Sequence, residues 1–169
     1  MITDISKLLH LTSDYDSIGI DGVPGAGKTT IAEMLAREND VTLISFDSYL
    51  DRDKGGFEEN IDFITLKKDI KKAQLKGRKV IIEGNLLINI LKKIEIAPQI
   101  VMYIVPCINC TKFSTYKMLH EKSLLEILSY YKEEKEQWPK VSFILDIEVA
   151  HYHKEYNPKD NSLIVYQVL

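Results

Sequence analysis

The sequence predicts an α/β fold: a five-stranded, mostly parallel sheet covered by helices on both faces. Three observations predict it. Apolar segments of strand length alternate along the chain with segments of helical periodicity. Two apolar segments, Val80-Ile81-Ile82 and Ile100 to Val105, show no polar alternation, which suits strands buried on both faces of a parallel sheet. A glycine-rich turn, Gly22 to Gly27, joins the first strand to a helix, as at the ligand edge of open α/β sheets.

The elements follow in order. Asp4 to Leu11 reads as a short helix, with Ile5, Leu8 and Leu9 on one side. Ser17 to Asp21 reads as the first strand. Thr29 to Arg37 is a helix with Ile31 and Leu35 four apart, and Val41 to Phe46 a second strand. Asp62 to Lys76 is a helix through Leu66, Ile70 and Ala73, with Gly77 placed to end it. Val80 to Glu83 and Ile100 to Val105 are strands. Ser123 to Gln137 is a helix stopped at Trp138-Pro139, and Ser142 to Glu155 another, ending before Asn157-Pro158. Ser162 to Val168 is the last strand.

The chain has 169 residues, no repeat and no low-complexity tract, so a single domain over residues 1–169 is expected. Hydrophobic residues make up 45% and charged residues 28%, which excludes a disordered chain. A net charge of −3 gives no field drawing the chain to nucleic acid or anionic lipid. No apolar run reaches the roughly 18 residues of a membrane helix. Asp4 and Lys7 interrupt the N-terminal segment, so a cytoplasmic location is expected. Two cysteines are too few for a disulfide framework. Of 22 basic residues only Arg37, Arg52 and Arg78 are arginine, the usual side chain for bidentate phosphate recognition.

The turn after the first strand reads Gly22-Val23-Pro24-Gly25-Ala26-Gly27-Lys28-Thr29, followed by Thr30. It matches G-x-x-x-x-G-K-[ST] at every fixed position, between a strand and a helix as the motif requires. Glycines let successive N–H groups turn inward on a phosphate. Lys28 brings a mobile charge to the terminal phosphates, Thr29 a hydroxyl for Mg²⁺, and the helix its N-terminus. Together they predict ATP or GTP binding in a three-layer α/β/α P-loop NTPase fold.

Two acidic residues narrow the chemistry. Asp47 follows the second strand, at the edge where ligands bind. A carboxylate there takes the proton of an attacking hydroxyl or holds water on Mg²⁺; the plainer alternative is a turn residue. Glu83 ends the third strand. A carboxylate there is costly to bury unless it has a partner, and contact with Mg²⁺ and its waters would supply one.

Ile18-Gly19-Ile20-Asp21-Gly22 through Lys28-Thr29-Thr30, then Phe46-Asp47-Ser48-Tyr49, then Val80 to Leu87, resemble the uridine kinase family of P-loop kinases, akin to phosphoribulokinase and bacterial pantothenate kinase. Tyr152 to Pro158 with the strand after it is also similar, so the resemblance runs from about Ser17 to Val168. It implies ATP with Mg²⁺ as phosphoryl donor and a small-molecule hydroxyl as acceptor. Asp47 matches the catalytic base and Glu83 the strand-end acid. Lys28, Thr29 and the loop residues Gly22, Pro24, Gly25, Ala26, Gly27 and Thr30 match the nucleotide contacts. The segment Phe57 to Phe63 is similar to the acceptor-binding stretch, which nominates Asp62, with helix capping as its alternative. Tyr49 and Arg52, close to Asp47, are further acceptor candidates, and Arg52 is equally a solvated loop charge. The resemblance also puts the Asn157–Asn161 turn near the adenine.

Two departures stand out. Uridine kinases carry a β-hairpin between the second helix and the Glu-Gly strand; here Gly77-Arg78-Lys79 joins them directly. The family's lid carries several arginines; the corresponding stretch Pro106 to Lys117 has none, leaving Lys112 and Lys117 as its cations. A lysine restores charge without bidentate geometry. The lid-like helical region is expected over about residues 107–140. A nucleotide-binding regulator without catalysis is the alternative function.

Other features carry less. Cys107-Ile108-Asn109-Cys110 is one half of a tetrahedral zinc site at most. Leu124, Ile127, Leu128 and Tyr131 form a stripe that suits core packing, or an interface with a second copy. The lysines at 67, 68, 71, 72 and 76 read as a solvated helix face.

Overall fold

Five segments of strand geometry lie side by side in a computed structural model that describes residues 1–37, 41–51, 56–137 and 143–169. They are Ser17–Gly22 (β1), Val41–Ser45 (β2), Lys79–Glu83 (β3), Ile100–Val105 (β4) and Ile164–Gln167 (β5). Their order in the sheet is β2-β3-β1-β4-β5, and every pairing is parallel. All six residues of β1 are buried, as are Val80 to Glu83 of β3 and Met102 to Val105 of β4. The unbroken apolar runs therefore mark the central strands, and each fully buried Ile or Met there contributes about 1.5–3 kcal/mol.

The helices are Ile5–Thr12 (α1), Lys28–Ala36 (α2), Phe63–Leu75 (α3), Leu87–Lys93 (α4), Lys112–Glu121 (α5), Leu124–Gln137 (α6) and Ile144–Tyr156 (α7). The connection from β1 through α2 runs toward the β2 edge, whereas that from β3 through α4 runs toward β4. Right-handed crossovers in opposite directions place their helices on opposite faces. α2 packs on β1, β2 and β3, α3 on β3, and α4 on β1. No described helix is long and apolar enough to cross a membrane.

Helix ends follow local chemistry. Asp4 caps α1 by accepting from Ser6 N at 2.8 Å. Ser123 and Glu126 form a reciprocal capping box at the start of α6: Glu126 Oε2 accepts from Ser123 N at 2.8 Å, and Ser123 Oγ from Glu126 N at 3.3 Å. Ile127 and Tyr131 of α6 are buried and Leu124 packs against the core, so the α6 stripe is core packing.

The sequence did not mark α4 or the start of α5 individually. α4 has seven residues and begins after Leu86 in the left-handed region (φ 57°), with no capping side chain. Phe46, read as the end of the second strand, instead opens a 3₁₀ turn, Phe46–Tyr49, that carries Asp47. Trp138-Pro139 lies outside the described residues.

A polar chain crosses the core beside β4. Tyr103, fully buried, places its hydroxyl 2.9 Å from His153 Nε2 and 3.2 Å from His120 Nε2. His153 Nδ1 lies 2.8 Å from Val149 O, which only accepts, so Nδ1 carries the proton. Tyr103 then donates to His153 Nε2 and accepts from His120 Nε2–H. Burial pushes both imidazoles down to about 4 from 6.5. Their folded-state pKa values lie below the unfolded ones, so their stability contribution is complete above pH 6.5 and lost as pH falls toward 4. Asp21, raised to about 6 from 3.8, acts oppositely from about pH 6 downward, over most of that window. Two imidazoles outweigh one carboxyl, and His120, less buried than His153, counts for less. Urea denaturation should therefore show a net loss on the order of 2 kcal/mol between pH 6.5 and 4. His120→Gln should flatten the loss; a stability independent of pH there would refute the linkage.

Candidate functional site

The parallel register brings three strand ends to one edge. Ser45 of β2 pairs with Glu83 of β3, Glu83 pairs with Ile20 of β1, and the glycine-rich loop leaves β1 two residues later. Around that edge lies a cleft of about 420 Å³ lined by Pro24, Gly25, Gly27, Lys28, Thr29, Thr30, Asp47, Glu83, Gly84 and Asn85. Of the predicted loop residues, Gly22 and Ala26 lie behind this lining. Gly22 offers its carbonyl to Lys28, and buried Ala26 closes the turn through Ala26 N→Val23 O at 3.1 Å.

Gly25 and Gly27 have φ of 75° and 95°, the left-handed region where a side chain is strained. Gly25 is constrained twice: a methyl group on it would lie 2.9 Å from Lys112 Cε. Lys112, the first residue of α5, thus drapes its alkyl chain over the loop.

Lys28 is 7% exposed and donates to Gly22 O at 3.1 Å, Val23 O at 3.0 Å and Asn85 Oδ1 at 2.8 Å. Burial pulls its ammonium below the ordinary lysine value, and the carboxylates of Asp21, Glu83 and Asp47 pull it back up. Glu83 is 3% exposed and accepts from Thr29 Oγ at 3.2 Å. A buried carboxylate and a hydroxyl at the mouth of a helix form an all-oxygen pair, the donor type that Mg²⁺ takes. Asp47 is exposed at the second position of the 3₁₀ turn.

A second cavity, about 320 Å³, adjoins the first and is lined by Asp47, Leu50, Asp51, Gly56, Phe57, Asn85 and Leu145. Asp47 and Asn85 line both.

No protein-family model matches the chain, and no curated protein matches it by sequence. Its backbone is similar to a solved structure described as a possible uridine kinase from Bacillus stearothermophilus, with a TM-score of 0.52 and 17% identity over 96% of each chain. The chain shares the overall fold of that structure.

Within the P-loop fold the remaining predicted residues separate. Lys112 reaches the loop, but Lys117 is half-exposed and lies 3.9 Å from Glu121 on its own helix. Tyr49 turns away from the cleft: its hydroxyl donates to Asp69 of α3 at 3.1 Å, beside Thr42 and Ile44 of β2. Asp62 caps α3, accepting from Thr65 N at 3.0 Å and Thr65 Oγ at 2.6 Å, and lines neither cavity. Arg52 lies outside the described residues. The Asn157–Asn161 turn precedes β5, so it sits at the opposite end of the sheet from the P-loop, contrary to the placement near an adenine. Cys107 and Cys110 are free thiols in a turn, Cys110 Sγ donating to Cys107 O at 2.8 Å.

Three residues of this region escaped the sequence reading. Asn85, which holds Lys28, stood in the quoted motif without a role. Asp21 had a usable signal, a carboxylate in an apolar strand. Glu148 of α7 accepts from Phe57 N at 2.8 Å and Glu58 N at 3.4 Å, and only tertiary packing brings it there.

Because Asp62 caps α3, Asp62→Ala should lower stability measurably in urea denaturation. Nucleotide affinity should be unchanged by calorimetry; a loss of affinity would return Asp62 to the site.

Proposed function

We propose that the chain is an ATP-dependent kinase that transfers the γ-phosphoryl group to a hydroxyl of a nucleoside-like or other small metabolite. The observation that carries the reading is Asp47, a carboxylate on the wall shared by the P-loop cleft and the adjoining cavity. A binder of nucleotide alone has no use for a base aimed at a second cavity. The similarity to a structure described as a possible uridine kinase supports the same reading.

ATP with Mg²⁺ supplies the transferable phosphoryl group. Thr29 and Glu83 would hold the ion, with Asp47 in reach of its water shell. The loop amides and Lys28 hold the β- and γ-phosphates, for which Lys28 exchanges its present carbonyl partners. Lys112 places a cation over the loop from the lid side. An acceptor in the second cavity loses its hydroxyl proton to Asp47 as its oxygen bonds to phosphorus, and ADP departs with the electrons of the broken P–O bond. α3 ends at Leu75 and β3 begins at Lys79, so no hairpin reaches an acceptor base. The acceptor is therefore gripped by Leu50, Phe57, Leu145 and the polar groups of Asp47 and Asn85.

One observation favours a second reading, the nucleotide-binding regulator: α5 approaches the P-loop with a lysine where arginine would stabilise the transferring group better. ATP turnover with Mg²⁺ against nucleosides, nucleotides, sugars and cofactor precursors tests both. Stimulation by one acceptor supports the kinase. Tight ATP binding with no acceptor-dependent turnover supports the regulator.

A further inference from the structure

Three side chains on α7, Glu148, Tyr152 and Tyr156, are spaced four residues apart and therefore share one helix face. Glu148 and Tyr152 tie α7 to the site, whereas Tyr156 ties it only to α4. Glu148 takes the amides of Phe57 and Glu58 in the second cavity's wall. Tyr156 donates to Asn89 Oδ1 of α4 at 3.2 Å. Tyr152 lies between them, 3% exposed. It donates its hydroxyl to Asp21 Oδ2 and accepts from Ile88 N at 3.2 Å.

Asp21 is fully buried beneath the P-loop. Its other oxygen accepts from Gly22 N at 2.7 Å, and Gly22 O in turn holds Lys28 Nζ at 3.1 Å. A buried carboxylate keeps its charge only while donors surround it. Tyr152 is the side-chain hydroxyl doing so.

We propose that Tyr152 is a positioning residue for nucleotide binding, acting through Asp21 to hold the first peptide of the P-loop and Lys28 in register with α7. The inference rests on the nucleotide reading above. It makes α7 the element through which the acceptor-side wall and the P-loop share one placement. Without the hydroxyl, Asp21 takes up a proton and Gly22 N–H loses a charged acceptor. The charge facing this pair is Lys28, which itself faces Glu83, Asp47 and His153, and the Tyr103 hydroxyl also faces Asp21.

The test is a double-mutant cycle on the affinity for the β,γ-imido analogue of ATP with Mg²⁺, measured by calorimetry on the full chain. Tyr152→Phe should weaken binding about tenfold. In an Asp21→Asn background the same change should have an effect of less than about twofold. Tyr156→Phe, one turn away, should lower thermal stability and leave affinity unchanged. A structural role alone would not move the pH profile. Any acid-side fall in affinity should shift to higher pH in Tyr152→Phe relative to wild type and vanish in Asp21→Asn, the nucleotide's own titration being common to all. Unchanged affinity in Tyr152→Phe, additive effects in the cycle, or an equal loss in Tyr156→Phe would overturn the proposal while leaving the nucleotide site intact. Wild-type protein that binds no analogue would overturn the nucleotide reading and this proposal with it. Should Tyr152→Phe not fold, Asp21→Asn alone decides: a pH profile identical to wild type overturns the link.

Discussion

Asp47→Asn is expected to lower acceptor-dependent phosphoryl transfer by about 10²- to 10⁴-fold, the usual span for a lost general base. The asparagine keeps the size and the hydrogen-bonding reach of the side chain but cannot take a proton. Asp47 is exposed to both cavities and donates nothing to the fold, so stability should be unaffected. It acts on Lys28 only through space, behind Asp21 and Glu83, so nucleotide affinity should change by less than about threefold. Steady-state turnover and calorimetry on the same preparations separate the two quantities. Equal turnover in variant and wild type would remove Asp47 as the base. Lost turnover together with lost nucleotide binding would place it on the metal and phosphates instead.

Gly84→Ala is expected to be the most damaging single methyl group in the site. A Cβ there would stand 2.4 Å from Phe46 Cδ2, 2.6 Å from Cγ and 2.7 Å from Phe46 Cβ. The closest neighbours include the root of the ring, so rotating the side chain does not relieve the clash. Phe46 is fully buried, and its own surroundings leave it nowhere to go. Overpacking of this severity costs about 3 kcal/mol or more. For a chain of this length that lowers the melting temperature by about 6–12 °C. The damage is directional as well. Phe46 immediately precedes Asp47, so pushing the ring aside moves the carboxylate and reduces turnover beyond the stability loss. Thermal unfolding checks the first effect and turnover below the melting range the second. A variant within about 1 kcal/mol of wild type would show that the 3₁₀ turn yields, and that Asp47 is held less firmly than the packing implies.

The separation of these two residues illustrates how the site was legible. Asp47 could be placed from the sequence because a strand end at the P-loop edge is a position with few alternatives. Gly84 could not be read as a packing requirement, because its neighbour is 38 residues away in the chain and meets it only across the β2–β3 pairing. The same divide runs through the predicted acceptor residues. Tyr49 and Asp62 lie near Asp47 in sequence, yet a 3₁₀ turn rotates Tyr49 toward Asp69 and the cap of α3 occupies Asp62. Proximity in sequence does not settle direction where the backbone turns within three residues.

The sequence by itself determined the order of the five strands and of the helices other than α4 and α5, the P-loop with Lys28 and Thr29, the strand-end position of Glu83, and the place of Asp47 just after the second strand. These are local properties: hydrophobic period, glycine placement and a motif whose spacing is set by one turn of backbone. The tertiary structure decided what lies across the sheet from them. It laid Lys112 on Gly25, gave Lys28 to Asn85, put the Asn157–Asn161 turn at the far edge, and set Glu148 and Tyr152 of α7 against the loops of β1 and β2. Such pairings depend on how strands stack and helices dock, and burial enforces them: a carboxylate such as Asp21 stays inside only where folding has brought it a donor from more than a hundred residues away.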